Sequence, residues 1–147
     1  MPIRPSVLRI SPSLMAEVEA EARTVYPEEC CGVLVGSCRR HADTSVASVA
    51  AVWTTENVAQ GDRSHGYLIA PEVLLEVYKQ AGARGEEVIG YYHSHPDAGA
   101  APSDRDLARA VPGASYLIVA IDERQILDRR SWRLRSDNSR FEEEQLL

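Results

Sequence analysis

Residues 88–106, which read VIGYYHSHPDAGAAPSDRD, contain the pattern that most strongly constrains how this chain folds. The apolar and aromatic run Val88–His93 predicts a buried strand. Because side chains two apart on a strand point to the same face, His93 and His95 should present both imidazoles to one side. Pro96 cannot donate a hydrogen bond to a sheet, so the strand should stop there.

The second half of this segment predicts the start of a helix. Ser103 has the character of an N-cap, and Asp106 follows three residues later, at capping-box spacing with Asp in place of the usual Glu or Gln. The loop between strand and helix, residues 97–102, carries no large side chain and leaves room for a substrate. A helix that begins here should bring Ser103 and Asp106 back toward the two histidines.

Two imidazoles and one carboxylate form a plausible set of metal ligands. They fill three positions of a tetrahedral site and leave the fourth for water, as in catalytic zinc sites. Mg²⁺ and Ca²⁺ prefer shells made of oxygen and fit this set poorly. Each fragment also has a purely structural interpretation, because histidines at strand ends are often polar surface residues and Ser-x-x-Asp is a common helix cap. The combined spacing favours the metal site.

An acidic pair upstream, Glu28-Glu29, precedes a second apolar run that begins at Cys31. A carboxylate at the mouth of a buried strand can reach a site on the neighbouring strand and exchange protons there. The alternative is a solvated turn after a helix that ends at Pro27. Composition alone favours the turn, so the residue pattern by itself leaves the role of this pair open.

Together these residues resemble the JAMM motif, the signature of the MPN+ (JAB-domain) zinc metalloproteases. The matching positions are spread over two segments of the chain: Glu29-x-Cys31-Gly32, and His93-x-His95 followed after seven residues by Ser103 and after two more by Asp106. The resemblance covers nearly the whole chain, and no motif position is missing, which favours an active member over an inactive relative.

The resemblance implies a role for each matched residue. Glu29, rather than Glu28, corresponds to the catalytic carboxylate that takes a proton from water and returns it to the leaving amine. Ser103 corresponds to the hydroxyl that stabilises the oxyanion. The residues that correspond to zinc ligands are His93, His95 and Asp106.

The resemblance also implies an activity and a class of substrate. The chain has the size of the compact bacterial and archaeal members, which act on ubiquitin-like proteins, including sulfur carriers with a C-terminal Gly-Gly. We therefore expect a zinc-dependent peptidase or isopeptidase that cleaves after such a tail. Two alternatives are a non-catalytic MPN scaffold that binds a partner domain, and a RadC-like protein linked to DNA metabolism, which shares the His-x-His spacing.

Size and composition predict one soluble domain spanning residues 1–147. Hydrophobic residues make up 44% and charged residues 26% of the chain, which are ordinary values for a globular protein, and the net charge is −6. No basic cluster of the kind that nucleic acid requires is present. Four arginines near the C-terminus are interpreted as the wet face of an edge strand: Arg129, Arg130, Arg133 and Arg135. The oligomeric state stays open.

Cysteine usage and the apolar pattern predict a cytoplasmic location. Three cysteines are an odd number, and two of them are adjacent, which argues against a disulfide framework and for a reducing compartment. No apolar stretch reaches the length of a membrane span. The opening residues, 1–5, are not followed by the apolar segment of a signal peptide.

Helical and strand patterns alternate along the chain and predict an α/β fold of the α+β type, a mixed central sheet flanked by helices. Helices are predicted to begin at Ser11-Pro12 and at Pro71, and a polar turn is predicted over residues 37–44. The resemblance implies the MPN fold, which is cytidine-deaminase-like, although the ligand set and P-C-x-x-C run of a deaminase are absent. Asn57 and Tyr67 are considered for the cleft wall, but no spacing requires them there.

Overall fold

The computed structural model describes residues 6–41, 44–134, 137 and 139–147. These residues form seven strands and three helices, whose bounds in chain order are β1 Ser6–Arg9, α1 Pro12–Val25, β2 Cys31–His41, β3 Thr44–Thr55, α2 Pro71–Ala83, β4 Glu87–Pro96, α3 Asp104–Arg109, β5 Ser115–Asp122, β6 Gln125–Leu134 and β7 Phe141–Leu146. None of the helices in the described residues is long and apolar enough to cross a membrane.

The strands form one mixed sheet in the order β1-β3-β2-β4-β5-β6-β7. β4 lies at its centre, antiparallel to β2 and parallel to β5. This confirms the predicted mixed sheet flanked by helices. The sheet also closes on itself, because β1 pairs in parallel with both β3 and β7. Closure goes beyond the prediction, since β1 has four residues and its partners lie far along the chain.

Local sequence signals account for the helices that frame the sheet. Ser11 caps α1, since its Oγ accepts a hydrogen bond from the backbone N–H of Leu14 at 3.2 Å. The predicted starts of α1 and α2, each with a proline in the first turn, are confirmed. Proline suits that position because the first N–H groups of a helix have no intrahelical partner.

Two local interpretations are wrong. The predicted polar turn over residues 37–44 is mostly strand, because β2 continues to His41 and β3 resumes at Thr44, while residues 42 and 43 lie outside the described part. The strand that carries Arg129, Arg130 and Arg133 is not an edge strand, because β6 pairs with β5 on one side and β7 on the other. Position 135 lies outside the described residues.

The two longer helices, α1 and α2, pack on opposite faces of the central strands. Val18 of α1 belongs to one buried cluster together with Tyr92 of β4, and Val77 of α2 belongs to a second cluster together with Tyr91. Neighbouring tyrosines of β4 therefore point to opposite faces, as strand alternation requires. By the same alternation, His93 lies on the face that α2 covers.

Gly32 allows β2 to pass closely beside an aromatic ring. A Cβ atom at position 32 would overlap Cε1, Cζ and the hydroxyl oxygen of Tyr92. That hydroxyl donates a hydrogen bond to Glu21 of α1 at 2.7 Å, which holds the ring in place. The glycine thus permits the close approach of β2 and β4 at the Gly32–Tyr92 pair, which is adjacent to the pair formed by Cys31 and His93.

Candidate metal centre

Three ligand atoms converge at the C-terminal end of β4. The Nε2 atoms of His93 and His95 lie 3.0 Å apart, and Oδ2 of Asp106 lies 3.2 Å from the first and 3.1 Å from the second. Both histidines are buried and Asp106 is half-buried. Within the described residues, these three form the group of side chains that could hold a metal ion.

The helix that follows β4 positions the carboxylate. Ser103 caps α3 by accepting a hydrogen bond from the N–H of Asp106 at 3.1 Å, and Oδ2 of Asp106 accepts one from the N–H of Ser103 at 2.9 Å. This is the capping box that the sequence predicts, with both hydrogen bonds present. The oxygen atom that completes the box is also the one that faces the histidines, so the cap fixes the direction of the carboxylate.

The spacing of the three atoms fits a zinc ion. Atoms bound to zinc at about 2.0–2.1 Å in a tetrahedron lie roughly 3.3 Å from one another. The observed separations of 3.0, 3.1 and 3.2 Å are close to that value. The tautomer of His95 also fits, because its Nδ1 lies 2.8 Å from the carbonyl oxygen of Gly99. A carbonyl can only accept, so Nδ1 carries a hydrogen and leaves the Nε2 lone pair for a metal.

The protonation states of the three side chains bear directly on metal binding. Burial lowers the pKa of His93, and the nearby Asp106 opposes this shift without reversing it. Burial also pushes the pKa of Asp106 upward, but hydrogen bonds from His93 and His95 outweigh it and hold the pKa well below its usual range. His93 and Asp106 therefore favour the neutral imidazole and the carboxylate anion, the states in which these side chains bind metal. Burial lowers the pKa of His95, but hydrogen bonds with Asp106 and Gly99 outweigh it and raise the pKa, so a metal ion at Nε2 would displace a proton.

Glu29 lies beside this cluster, two residues before β2 begins. Cys31 pairs with His93 across β2 and β4, and Ser94 extends the pairing by donating its N–H to the Cys30 carbonyl at 3.2 Å. Continued beyond the strand, this register would place Glu29 opposite His95, and the charges of His95 and Asp106 both act on the Glu29 carboxylate. Glu29 is buried, and its Oε1 has no hydrogen-bond partner among the described residues. Burial is the main cause that raises its pKa to about 8.

The neighbouring Glu28 is exposed, so the two glutamates occupy different environments. The backbone of Glu29 is held on both sides: its N–H donates to the Arg63 carbonyl at 2.8 Å, and its carbonyl accepts from Nδ2 of Asn57 at 3.0 Å. The solvated-turn interpretation therefore fits Glu28 and does not fit Glu29.

The loop between β3 and α2, residues 56–70, forms one wall of the site. Asn57 organises it, because Nδ2 also donates to the Gly66 carbonyl while Oδ1 accepts from the N–H groups of Ala59 and Leu68. Tyr67 stacks on the ring of His93 with centroids 4.7 Å apart and an interplanar angle of 28°. Asn57 and Tyr67 therefore both contact residues of the site: Asn57 binds the backbone carbonyl of Glu29, and Tyr67 packs on the ring of His93.

Three further side chains that support the site could not be predicted from the sequence. Arg105 and Arg109 of α3 donate to the carbonyls of His65 and Tyr67 at 3.0 and 2.9 Å, which ties the ligand-bearing helix to the loop wall. Trp132 of β6 donates its indole N–H to the Ala100 carbonyl at 2.9 Å. All three act on backbone carbonyls, and neither periodicity nor motif spacing carries a signal for such contacts.

Ser103 lies at the exposed entrance of the site. Its Oγ accepts from the Asp106 N–H, while its hydroxyl hydrogen has no acceptor among the described residues. A hydroxyl can donate one hydrogen bond while it accepts others. The geometry thus allows Ser103 to cap α3 and to donate to a bound molecule at once.

Comparison with known proteins matches residues 11–135 to a family described as prokaryotic homologs of the JAB domain. A desampylase of Haloferax volcanii is 34% identical over 113 residues, which cover 76% of each chain. A probable TtuB-protein conjugate cleaving protease of Thermus thermophilus is 31% identical over 116 residues, which cover 79% of this chain and 72% of the relative.

Solved structures show the same fold. A protein from Desulfitobacterium hafniense superposes with a TM-score of 0.76 at 28% identity, covering 97% of this chain and 91% of its own. A protein from Salinibacter ruber gives a TM-score of 0.69 at 28% identity, covering 97% of this chain and 90% of its own. Both likenesses extend over nearly the whole chain.

Proposed function

The chain belongs to the family of prokaryotic homologues of the JAB domain, and on that basis we propose that it is a zinc-dependent peptidase or isopeptidase. The bond it cleaves follows the C-terminal Gly-Gly of a ubiquitin-like or sulfur-carrier protein. The observation that carries this proposal is the convergence of His93, His95 and Asp106 within 3.2 Å of one another. Glu29, a buried carboxylate with a free oxygen, lies beside them.

The metal in this proposal is zinc, held by His93, His95 and Asp106. Two nitrogen ligands and one oxygen ligand with a fourth position open to solvent are typical of catalytic zinc sites. When bound, zinc lowers the pKa of water and polarises a carbonyl group, which makes the hydrolysis of an amide feasible at neutral pH.

Glu29 serves as the proton carrier. It takes a proton from the attacking water and delivers it to the nitrogen of the leaving amine. Burial supports this role, because it raises the pKa of Glu29 to about 8, near neutral pH, where a group can both take up and return a proton. The contacts from Arg63 and Asn57 hold its backbone, which limits the positions the carboxylate can reach.

Ser103 donates its free hydroxyl hydrogen to the oxyanion that forms at the cleaved carbonyl. A donor that is already oriented before the reaction stabilises developing charge without a reorganisation cost. The capping hydrogen bond at 3.1 Å orients Oγ of Ser103.

Two observations support a carrier tail as the substrate. The relatives include a desampylase and a probable TtuB-protein conjugate cleaving protease, whose names describe removal of protein conjugates. In addition, the loop of residues 97–102 beside the ligands carries small side chains, with Ala98 and Gly99 exposed. A Gly-Gly tail is slender enough to run along such a surface.

We place the protein in the cytoplasm. Cys38 is exposed and forms no disulfide, which suits a reducing compartment.

The test is cleavage of a defined conjugate. Zinc-loaded protein would be incubated with a ubiquitin-fold sulfur carrier whose terminal Gly-Gly is joined either to cysteine or to a lysine side chain of a peptide. Mass spectrometry should detect release of the carrier ending in Gly-Gly, and a zinc chelator or Glu29→Gln should abolish it. Absence of release from both conjugates would overturn the proposal.

Other outcomes of the same experiment would favour the alternatives. Tight binding of the carrier without release would indicate a non-catalytic scaffold. Salt-sensitive binding of duplex DNA, measured in parallel, would favour a role like that of RadC. The net charge of −6 disfavours the second alternative, because binding to DNA relies on neutralising phosphates with basic side chains.

A further inference from the structure

A single backbone carbonyl selects the tautomer of His95. Its Nδ1 donates to Gly99 at 2.8 Å, whereas the ring of His93 is held by stacking on Tyr67. Gly99 has no side chain with which to anchor itself, and a Cβ at this position would meet nothing within 4 Å. The direction of its carbonyl must therefore be set by the residues on either side.

The loop is anchored on both sides of Gly99. On the N-terminal side, Asp97 donates its N–H to the Ile121 carbonyl at 2.8 Å, and its carboxylate accepts from the hydroxyl of Tyr26 at 2.7 Å. On the C-terminal side, Ala100 is buried, and its carbonyl accepts the indole N–H of Trp132 at 2.9 Å.

Trp132 is well placed to hold this position. It lies in the part of β6 that pairs with both β5 and β7, and its ring packs against a small buried cluster formed by Ala100, Ile118 and Ala120. The ring is therefore fixed by packing, and its N–H is directed at one carbonyl. The Ala100 carbonyl belongs to the peptide group between residues 100 and 101, and the Gly99 carbonyl to the preceding one. Because each peptide group is planar, only the two dihedrals of the buried Ala100 separate them, so holding the first restricts the second.

We infer that Trp132 is a positioning residue for the metal site: its indole N–H holds residues 99–100 so that the Gly99 carbonyl faces Nδ1 of His95. The contact chain runs from β6 through the loop to the imidazole, and the hydrogen at Nδ1 leaves Nε2 free to bind metal. This inference rests on the proposed function to the extent that it takes His95 as a ligand.

The decisive variant is Trp132→Phe, which keeps an aromatic ring in the packed position and removes the N–H. Loss of an outer hydrogen-bond partner typically weakens a metal site about 10- to 100-fold. Because Trp132 acts through a peptide rather than directly on the imidazole, we expect zinc affinity to fall about tenfold, at the lower end of that range. Affinity would be measured by competition with a chromophoric chelator.

The chain offers a matched control. It contains two tryptophans, and the other, Trp53 of β3, is also half-buried, with no hydrogen bond from its indole in the described residues. Trp53→Phe makes the same chemical change away from the loop and should leave zinc affinity within about twofold. The Co²⁺-substituted protein provides a second readout: the visible absorption bands should shift in Trp132→Phe and stay unchanged in Trp53→Phe.

If Trp132→Phe packs poorly, replacing Trp132 with its benzothienyl analogue removes the N–H while keeping the shape of the indole. Zinc affinity and Co²⁺ bands equal to wild type in either Trp132 variant would overturn the inference. That failure is distinct from failure of the proposed function, in which the wild-type protein binds zinc yet releases no carrier. If wild-type protein binds no zinc, both proposals fall together.

Discussion

At the scale of single residues, one oxygen atom of Asp106 has two tasks. Oδ2 completes the capping box of α3 and also lies within 3.2 Å of both histidine nitrogens. The capping-box spacing therefore belongs to the geometry of the site, and it explains why a residue that looks like an ordinary cap can be a ligand. The sequence leaves a helix cap and a metal ligand as alternative roles for Asp106, and the structure allows both.

Glu29 and Glu28 are adjacent in sequence but should differ sharply in function. Glu29→Gln should retain zinc and fold yet lose turnover by about 10²-fold or more, since it removes the proton carrier. Glu28→Gln should be nearly silent, because Glu28 is exposed and faces solvent. Steady-state kinetics and zinc content of both variants provide the check. The reverse pattern would place the catalytic role on Glu28.

The burial of Glu29 predicts a pH dependence in metal-free protein. Its pKa is about 8 in the folded state against an ordinary value of 4.5, with burial as the main cause. Between those values the folded state holds a proton that the unfolded state has released, so the free energy of unfolding falls as pH rises. A single group contributes at most about 1.4 kcal/mol per pH unit.

Urea unfolding in the presence of a chelator, from about pH 5 to pH 8, would measure this slope. Glu29→Gln should flatten the decline and be more stable than wild type at the upper end of the range. Glu28→Gln should keep the wild-type slope and is the control. Equal slopes for wild type and Glu29→Gln would show that Glu29 ionises normally in the folded state.

Ser103 has two possible contributions, which different measurements separate. Loss of a helix cap costs about 1 kcal/mol in stability on replacement by Ala and less on replacement by Gly. Loss of an oxyanion donor costs roughly 10²-fold in turnover. Both Ser103→Ala and Ser103→Gly should show the full loss of turnover, while thermal melts should show the larger destabilisation in Ser103→Ala. Near-wild-type turnover with zinc bound would leave Ser103 as a structural cap.

At the scale of elements, the close approach of β2 and β4 depends on Gly32. Gly32→Ala should destabilise the protein by about 1–3 kcal/mol, the usual cost of inserting a methyl group into a packed core. Gly82→Ala in α2 is the matched control, because its Cβ would meet nothing within 4 Å. Alanine there should be neutral or stabilising, by up to about 1 kcal/mol, through its higher helix propensity. Urea unfolding compares them; equal stability would mean that Tyr92 can move aside.

The elements nearest the site were the most predictable from sequence. β4 and α3 are marked by a buried apolar run, a proline and a cap, all of which act within a few residues. β1 escaped prediction because it has four residues and its pairing with β3 and β7 is entirely non-local. The contacts of Arg105 and Trp132 escaped it for a similar reason, since each reaches a backbone carbonyl of a loop that only the fold brings near.

At the scale of the whole molecule, the site joins elements that are otherwise weakly connected. β4 is held within the sheet by pairing on both sides, whereas α3 has six residues, none of them buried. A helix this short has little intrinsic stability in water. Its arginines hold it to the loop of residues 56–70, and Asp106 holds it to the histidines. A metal ion bound at this point would fasten α3 and that loop to the central sheet.

Zinc should therefore stabilise the folded protein measurably. A ligand that binds only the folded state at about 100 times its dissociation constant adds roughly 2.7 kcal/mol to the free energy of unfolding. For a protein of this size, that corresponds to an increase of about 5–10 °C in Tm. Melts with zinc and with excess chelator give the difference for wild type. His95→Ala, which removes one ligand, should lose most of it. A wild-type Tm that is the same with zinc and with chelator would mean that the cluster of His93, His95 and Asp106 does not hold the ion.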